Sequence, residues 1–200
     1  ALLGLDFSCA PSARKPLTLA WGRRAGAVVR LDRFDELPTH DELSALIGLK
    51  VATAWLRESE LAALRLQDVT TDPASLPWSV RALALRHSGE MVGHAGFHSR
   101  PAPDYLAPYA ADAVEIGYTI YPRHRRQGLA RETLVALIRW AHVEHGVPRF
   151  VASVSPDNLA SCALLATSGF RRIASFIDDI DGLEYVLLLD APDVARLLGT

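Results

Sequence analysis

The chain has 200 residues, of which 50% are hydrophobic and 22% are charged, and it carries a formal net charge of −2. That length can bury one sizeable core, so a second domain would have to be small. A near-neutral charge argues against a nucleic-acid-binding protein, because phosphate backbones bind strongly basic surfaces. Cys9 and Cys162 form no C-x-x-C pair. The sequence therefore predicts a reducing compartment, with neither a disulfide scaffold nor a zinc site.

The sequence shows no targeting or membrane segment. The opening apolar run, residues 1–5, is too short for the apolar region of a secretory signal. No run approaches the roughly 20 apolar residues of a membrane-spanning helix. We therefore expect a cytoplasmic protein with no membrane partner.

The chain opens with residues that predict three short strands, the last two forming a hairpin that turns at residues 22–24. The stretch LLGLDFSCAPSARKPLTLAWG resembles the first strands of an uncharacterised family with an RNase H-like nuclease fold. That resemblance would make Asp6 a metal ligand. Two-metal hydrolysis needs several converging carboxylates, however, and the rest of such a domain is missing. We therefore interpret residues 1–26 as a β-rich appendage, such as a fusion remnant, without a metal site.

Residues 27–49 connect this appendage to the rest of the chain. The run VVRLD of residues 28–32 predicts a strand, which would complete the sheet of the following domain as its first strand. Thr39 predicts the N-cap of a helix over residues 40–49.

The next segment predicts a helix and then a hairpin. An amphipathic helix is predicted over residues 55–68, with Leu64 on its buried side and Arg65 exposed. Two strands within residues 78–98 are predicted to form a hairpin about the turn sequence HSGE.

A proline-punctuated loop, SRPAPDYLAPY, runs from residue 99 to residue 109. Long loops in compact domains are often functional, so this segment is either a lid or wall of an acceptor site or a plain surface excursion. His94 and His98 share one face of the preceding strand by their spacing. They either line that site or are ordinary structural histidines.

The stretch EIGYTIYPRHRRQGLA, residues 115–130, combines a strand, a turn and a helix start. Alternating polar and apolar residues predict a half-buried strand, which Pro122 ends. Apolar residues at helical spacing then predict a helix from Ala130 to Gly146. Because helix N-termini and arginines both favour anions, the turn is either a phosphate site or a solvated basic loop.

Two motifs resemble the GCN5-related N-acetyltransferases, the GNAT family, which bind acetyl-CoA by its pyrophosphate. The residues RRQGLA, 125–130, match the family's Q/R-x-x-G-x-G/A signature. After a predicted strand over residues 150–154, the run PDNLAS and the pair Gly169-Phe170 are similar to the family's Asn-x-x-Ser helix start and terminal GF. The resemblance extends from about residue 50 to residue 190 and is closest to the branch that includes ribosomal-protein alanine acetyltransferases.

The resemblance implies an α/β (α+β) GNAT fold, in which helices flank a central mixed, mostly antiparallel twisted sheet and the N-terminal β-rich appendage precedes it. The acetyltransferase domain would comprise residues 27–190, and residues 191–200 would form a short helix or tail. Strands over residues 170–175 and 183–189 would complete the sheet. The aspartate-rich turn between them lacks the ligand spacing of a calcium loop.

The resemblance also implies an N-acetyltransferase that moves an acetyl group from acetyl-CoA to a primary amine by direct attack in a ternary complex. The partner would be an amine acceptor, either a protein N-terminus or a small-molecule amine. We expect no nucleic-acid partner and no metal, and the resemblance is compatible with a homodimer. A non-catalytic acyl-CoA-binding module and a truncated nuclease-like fusion protein stay open as alternatives. By the family's pattern, the acetyl-CoA-binding residues are Tyr118, Thr119, Ile120, Arg125, Arg126, Gln127, Gly128, Leu129, Ala130 and Asn158.

Two residues are candidates for proton transfer. An amine must be neutral to attack, and similar enzymes often place a glutamate at the position of Glu115 to remove the proton, commonly through water. Glu115 is otherwise an edge carboxylate or an ion-pair partner. The family's usual acid, a tyrosine seven residues after the asparagine, is Leu165 here. Ser161 is the alternative donor to the leaving thiolate, and a backbone N–H near Tyr118 would stabilise the oxyanion if the strand bulges.

Overall fold

The computed structural model describes residues 2–5, 17–25, 28–37, 39–52, 54–55 and 58–199. The chain divides into two compact units, one of residues 1–71 and 82–93 and the other of residues 72–81 and 94–200. The described strands are β1 Leu2–Leu5, β2 Leu17–Ala25, β3 Val28–Leu37, β4 Arg81–Ala84, β5 Met91–Phe97, β6 Ala113–Ile120, β7 Arg149–Val154, β8 Arg171–Asp178 and β9 Gly182–Leu189. The described helices are α1 His40–Ile47, α2 Ser59–Thr71, α3 Ala107–Ala110, α4 Leu129–His145, α5 Leu159–Thr167 and α6 Ala191–Leu198.

The first three strands form an antiparallel sheet of their own, in the order β1-β2-β3. The hairpin prediction is correct, but the predicted turn at residues 22–24 is wrong. These residues lie inside β2, which continues to Ala25 opposite Val28. The register shifts between Trp21 and Gly22, so the glycine marks a bulge instead of a turn. Asp6 lies outside the described residues.

The strand predicted at residues 28–32 exists as β3, but its described partner is β2 and not a strand of the larger sheet. The expectation that it completes that sheet is therefore wrong for the described residues. The α1 prediction is confirmed, because the Thr39 hydroxyl accepts a hydrogen bond from the Glu42 N–H at 3.2 Å. Thr39 satisfies one of the N–H groups that a helix start leaves without an internal partner.

Helix α2 begins at Ser59, four residues later than predicted, and its buried side differs from the prediction. Leu64 is 50% exposed. The Arg65 side chain is only 14% exposed and donates a hydrogen bond to Asp68 at 2.9 Å. The sequence pattern assigned the apolar residue to the buried side, but a long arginine side chain can bury its methylenes while its charged end keeps a carboxylate partner.

The larger sheet has six strands in the order β4-β5-β6-β7-β9-β8. The pairs β7–β9 and β8–β9 are antiparallel, whereas β6 and β7 run parallel. Successive residues of a strand face opposite sides of its sheet. Phe150 and Val151 of β7 are both fully buried, and they belong to two different hydrophobic clusters. The middle of the sheet is therefore covered on both faces, as its uninterrupted apolar sequence requires.

Helices α4 and α6 contribute to the first of these clusters. Leu134, Ile138 and Ala141 of α4 have no exposed surface, and they follow the helical spacing predicted from the sequence. Val194 of α6 is equally buried in this cluster, so the predicted terminal helix is confirmed and packs against the core.

The proline-rich segment after β5 packs into the second cluster. A 3₁₀ turn at Asp104–Leu106 leads directly into α3. Leu106 is 2% exposed and clusters with Val151 and Val186 of the sheet, which is not the behaviour of a plain surface excursion. Within the ranges described above, no helix is long and apolar enough to cross a membrane.

Candidate active site

Strands β6 and β7 separate partway along their length. Their parallel register joins Ala113 to Arg149, Val114 to Phe150 and Glu115 to Val151. No later pair joins these two described strands, although β6 continues for five residues after Glu115. Separated strands present backbone N–H and C=O groups to whatever lies between them. The divergence thus opens a slot in the sheet, suited to an extended ligand with amide groups.

The N-terminus of α4 follows β6 closely. Gly128 is the N-cap with a φ of +81°, a conformation that costs other residues energy but not glycine. A Cβ built at Gly128 would have no atom within 4 Å, so the space beside this backbone is open. Among the described residues, no side chain caps this helix end. Its first N–H groups are therefore available to an anion.

The arginines of this turn have different environments. The Arg125 Nε donates to the Ile120 carbonyl at 2.9 Å, which ties the turn to the end of β6. Arg126 is exposed and has a φ of +61°, unusual for a residue with a side chain. The Gln127 amide donates to the Arg123 carbonyl at 3.4 Å. Arg125 and Gln127 thus shape the turn, while Arg126 is exposed beside the helix start.

Glu115 occupies the last paired position before the strands separate. Its side chain is 7% exposed. The Ser153 hydroxyl donates to Oε1 at 2.6 Å, and the His98 Nδ1 lies 3.3 Å from Oε2. Burial alone would raise the pKa of Glu115, but the hydrogen bond and charge of His98, with hydrogen bonds from Ser153 and Tyr105, lower it below its usual value. Glu115 is therefore a carboxylate at neutral pH.

His98 connects the carboxylate to the slot. It follows β5 directly, and its N–H donates to the Glu115 carbonyl at 2.9 Å. Its side chain is 45% exposed. A Cβ at Gly117 would lie 2.7 Å from His98 Nε2, so the imidazole occupies the space that a side chain would fill. Since Gly117 is past the last β6–β7 pair, the Nε2 end of the ring lies over the separated part of β6.

A second pair of polar groups lies on the other side of the strand. The Tyr118 and Ser161 hydroxyl oxygens are 2.9 Å apart. Burial, opposed by the Ser161 hydrogen bond, raises the pKa of Tyr118, so its hydroxyl keeps its proton at neutral pH. The Asn158 Oδ1 accepts from the Ser161 N–H at 3.2 Å and caps α5. The family resemblance predicted a helix start here but not this cap, which orients the serine.

The contacts of His98, Tyr105 and Ser153 with Glu115 were not predicted from the sequence. His98 was singled out only by its spacing from His94, which the structure buries at 6% exposure.

The tyrosine that usually serves as the acid in this family is replaced by Leu165, which is 1% exposed and belongs to the core. Tyr118 instead brings a hydroxyl to Ser161. Gly117 was the sequence signal that could have predicted the approach of His98, because a glycine inside a strand often marks the close approach of another group.

Comparison with known proteins identifies the family. A profile described as "Acetyltransferase (GNAT) domain" matches residues 40–171, more than half of the chain. The chain belongs to the GNAT acetyltransferase family. No comparison confirms the similarity of residues 1–26 to a nuclease-like family or the assignment to the ribosomal-protein branch.

Curated relatives of this GNAT protein match only part of their own length. The uncharacterized N-acetyltransferase YoaA of Bacillus subtilis is 34% identical over 87 residues, 44% of this chain and 45% of the relative. FsC-acetyl coenzyme A-N(2)-transacetylase of Aspergillus fumigatus is 27% identical over 93 residues, 46% of this chain and 40% of the relative. The chain thus spans less than half of the length of either relative.

Solved structures share the fold of this GNAT protein. A putative GNAT-family acetyltransferase from Bordetella pertussis superposes with a TM-score of 0.55 and 25% identity, over 74% of this chain and 87% of that one. The ribosomal-protein-S5-alanine acetyltransferase of Vibrio fischeri has a TM-score of 0.52 and 15% identity, over 72% of this chain and 78% of that one. The second likeness supports the fold alone.

Proposed function

We propose that this chain is an N-acetyltransferase that moves the acetyl group of acetyl-CoA to a primary amine by direct attack in a ternary complex. The observation that carries the proposal is the separation of β6 from β7 after Glu115 and Val151. The strand that borders this opening carries Glu115 and Tyr118, each in a polar cluster, and leads within nine residues to a helix start at which no side chain caps the described backbone. Each feature is common alone, but their convergence on one slot suits acyl transfer.

The residues around the turn fit the phosphate end of acetyl-CoA. The open space beside Gly128 and the first N–H groups of α4 would hold the pyrophosphate, because the helix dipole favours negative charge there. Arg126 would add a charge-assisted hydrogen bond from the exposed side of the turn. The backbone of Tyr118, Thr119 and Ile120 would bind the pantetheine amides, as a neighbouring strand would. The Asn158 amide would donate to the same arm.

The bound thioester supplies an acyl carbon that a neutral amine can attack. The chain's residues must then remove a proton from the amine and stabilise the departing thiolate. Glu115 is the candidate for proton removal, acting through water or a neighbouring side chain, because its lowered pKa keeps it a carboxylate that attracts the proton of the amine. Tyr118 and Ser161 are protonated donors on the thiolate side, and either hydroxyl can supply the proton. A Tyr118 backbone N–H would stabilise charge on the carbonyl oxygen.

The proposal is tested first by calorimetry with acetyl-CoA, then by following CoA release with a panel of amines. The panel includes spermidine and a peptide with an N-terminal alanine. Two proteins that share the fold are a spermidine N-acetyltransferase of Vibrio cholerae and the ribosomal-protein-S5-alanine acetyltransferase of Vibrio fischeri. We expect micromolar acetyl-CoA binding and amine-dependent CoA release. Tight binding without transfer to any amine would favour the alternative, a non-catalytic acyl-CoA-binding module.

A further inference from the structure

We propose that His98 is the catalytic residue that takes the proton directly from the attacking amine, and that Glu115 is the positioning residue that holds its ring. This inference rests on the proposed acetyl transfer and specifies the first acceptor of the proton. It assigns different tasks to two side chains that lie together.

The contacts of the carboxylate leave it poorly placed to receive an amine proton. One oxygen accepts from Ser153 at 2.6 Å, and the other faces His98 Nδ1 at 3.3 Å. The Tyr105 side chain also hydrogen-bonds Glu115. With 7% of its side chain exposed against 45% for His98, the imidazole is the member of the pair that an acceptor in solvent meets first.

The hydrogen bond between His98 Nδ1 and Glu115 determines which ring nitrogen of His98 can accept a proton. An ionised carboxylate only accepts hydrogen bonds, so His98 Nδ1 must carry the hydrogen that faces Glu115. In a neutral imidazole the other nitrogen, Nε2, is then the proton acceptor. Nε2 lies against Gly117, over the part of β6 that has left β7. The basic nitrogen is thus on the side where the slot opens.

Charge favours the protonated product. When Nε2 gains a proton, the imidazolium is stabilised by the buried Glu115 carboxylate, which stays ionised. Glu115 also receives a hydrogen bond from Tyr105 and interacts electrostatically with Glu184 of β9. The pKa of Glu184 is raised by burial, by Asp181 and Asp178, and by Glu115.

The proposed step balances without a further reactant. The ammonium form of the acceptor loses one proton to His98 Nε2, and the neutral nitrogen attacks the thioester carbonyl. The C–N bond forms and the C–S bond breaks, the Tyr118–Ser161 pair gives a proton to the thiolate sulfur, and the second nitrogen proton replaces the one that this pair has lost. His98 then releases the first proton to solvent through its exposed side.

The experiment measures kcat/KM as a function of pH for the full chain, with the best amine from the panel. His98→Ala is expected to lose roughly 10²- to 10⁴-fold in rate near neutral pH, the usual contribution of a general base. Added imidazole should restore part of it, which it would not do for a residue that only supports the fold. His87→Gln, in the β4–β5 turn, is the matched control and should behave as wild type.

Gly117→Ala provides a second test. The added methyl collides with the far end of the His98 ring and not with backbone, so the variant should fold and bind acetyl-CoA normally. Its rate should fall because the ring is displaced. If the wild type acetylates an amine and His98→Ala does so at the same rate, this inference is wrong but the proposed function stands. A wild type that binds acetyl-CoA but acetylates no amine overturns the proposed function and this inference with it.

Discussion

The hydroxyl groups of Tyr118 and Ser161 lie 2.9 Å apart although 43 positions separate them in the sequence. Strand β6 supplies the tyrosine, and the first turn of α5 supplies the serine. The position of the family's usual acid is Leu165 here, which is buried in the core and has no proton to donate. Two weak acids in contact can share one proton-donating task.

Replacing either hydroxyl should slow thiolate departure. We expect Tyr118→Phe and Ser161→Ala each to lower kcat by about 10-fold or more, because an unprotonated thiolate leaves less readily. Affinity for acetyl-CoA should change little. The double variant should lose much less than the product of the single losses, since the two hydroxyls act as one unit. Fully multiplicative losses would show that they act separately.

Gly128 should be required for acetyl-CoA binding. A side chain in Gly128→Val fills the space beside the helix start, and the φ of +81° adds strain of about 1–2 kcal/mol. Gly146→Val is the matched control, because Gly146 ends the same helix at a φ of +69° and its Cβ would also meet no atom within 4 Å. Calorimetry should show at least a 10-fold loss for Gly128→Val only. Equal losses would indicate strain instead of a blocked site.

The two arginines of the turn should differ in their effects. Arg126→Ala should weaken acetyl-CoA binding by roughly 10- to 100-fold, the value of a hydrogen bond to a charged group, without lowering the melting temperature. Arg125→Ala should lower both the acetyl-CoA affinity and the melting temperature, since it also removes the contact with the Ile120 carbonyl. Calorimetry and thermal unfolding on the same samples separate the two. Arg126→Ala with wild-type affinity would show that the phosphate contact comes from elsewhere.

Arg149 links two carboxylates at the start of β7. It donates to Asp190 at 2.7 Å and to Asp112 at 2.7 and 2.9 Å. The Arg149 hydrogen bond and the Ala191 N–H hold the pKa of Asp190 below its usual value. A lowered pKa in the folded state means stability that is present above the unfolded value of about 3.9 and lost as pH falls through the folded value.

Asp190→Asn keeps an acceptor for the Ala191 N–H and removes only the charge. We therefore expect a lower melting temperature than wild type at pH 5–7, with a difference that shrinks below about pH 4. Thermal unfolding across this pH range measures it. A difference that stays constant down to pH 3 would mean that the charge of Asp190 contributes nothing.

We predict that residues 1–26 are dispensable for acetyl transfer and that residues 27–190 carry it. β1 and β2 pair only within their own three-stranded sheet among the described residues. A chain beginning at Ala27 should keep its acetyl-CoA affinity, whereas one beginning at Lys50 should aggregate or unfold, because it removes α1 and so cuts into residues 40–171 that match the family. Melting temperature and calorimetry compare the two. Loss of binding in the longer chain would place β1 and β2 within the functional domain.

Local signals in the sequence determined much of this protein. Pro122, Gly128 and Gly146 act on their own backbone, so the end of β6 and both ends of α4 were predicted near their actual positions. The start of α5 was expected from the family's Asn-x-x-Ser motif, and the Asn158 cap is the local reason for it. Hydrophobic periodicity was less reliable where one side chain has both an apolar stem and a charged end. On α2 it buried Leu64 and exposed Arg65, the reverse of the structure.

The tertiary structure alone decided which groups meet. Glu115 and Ser153 are 38 positions apart, and their contact depends on a strand register that is not readable from either segment. The same register ends the β6–β7 pairing after Glu115, which turns a continuous sheet into a slot. Side-chain direction alternates along a strand, so a shift of one residue would have turned Glu115 away from His98 and Tyr118 away from Ser161. The chemical groups and local turns can therefore be predicted from neighbouring residues, whereas the distances between those groups depend on how strands far apart in the sequence pack together.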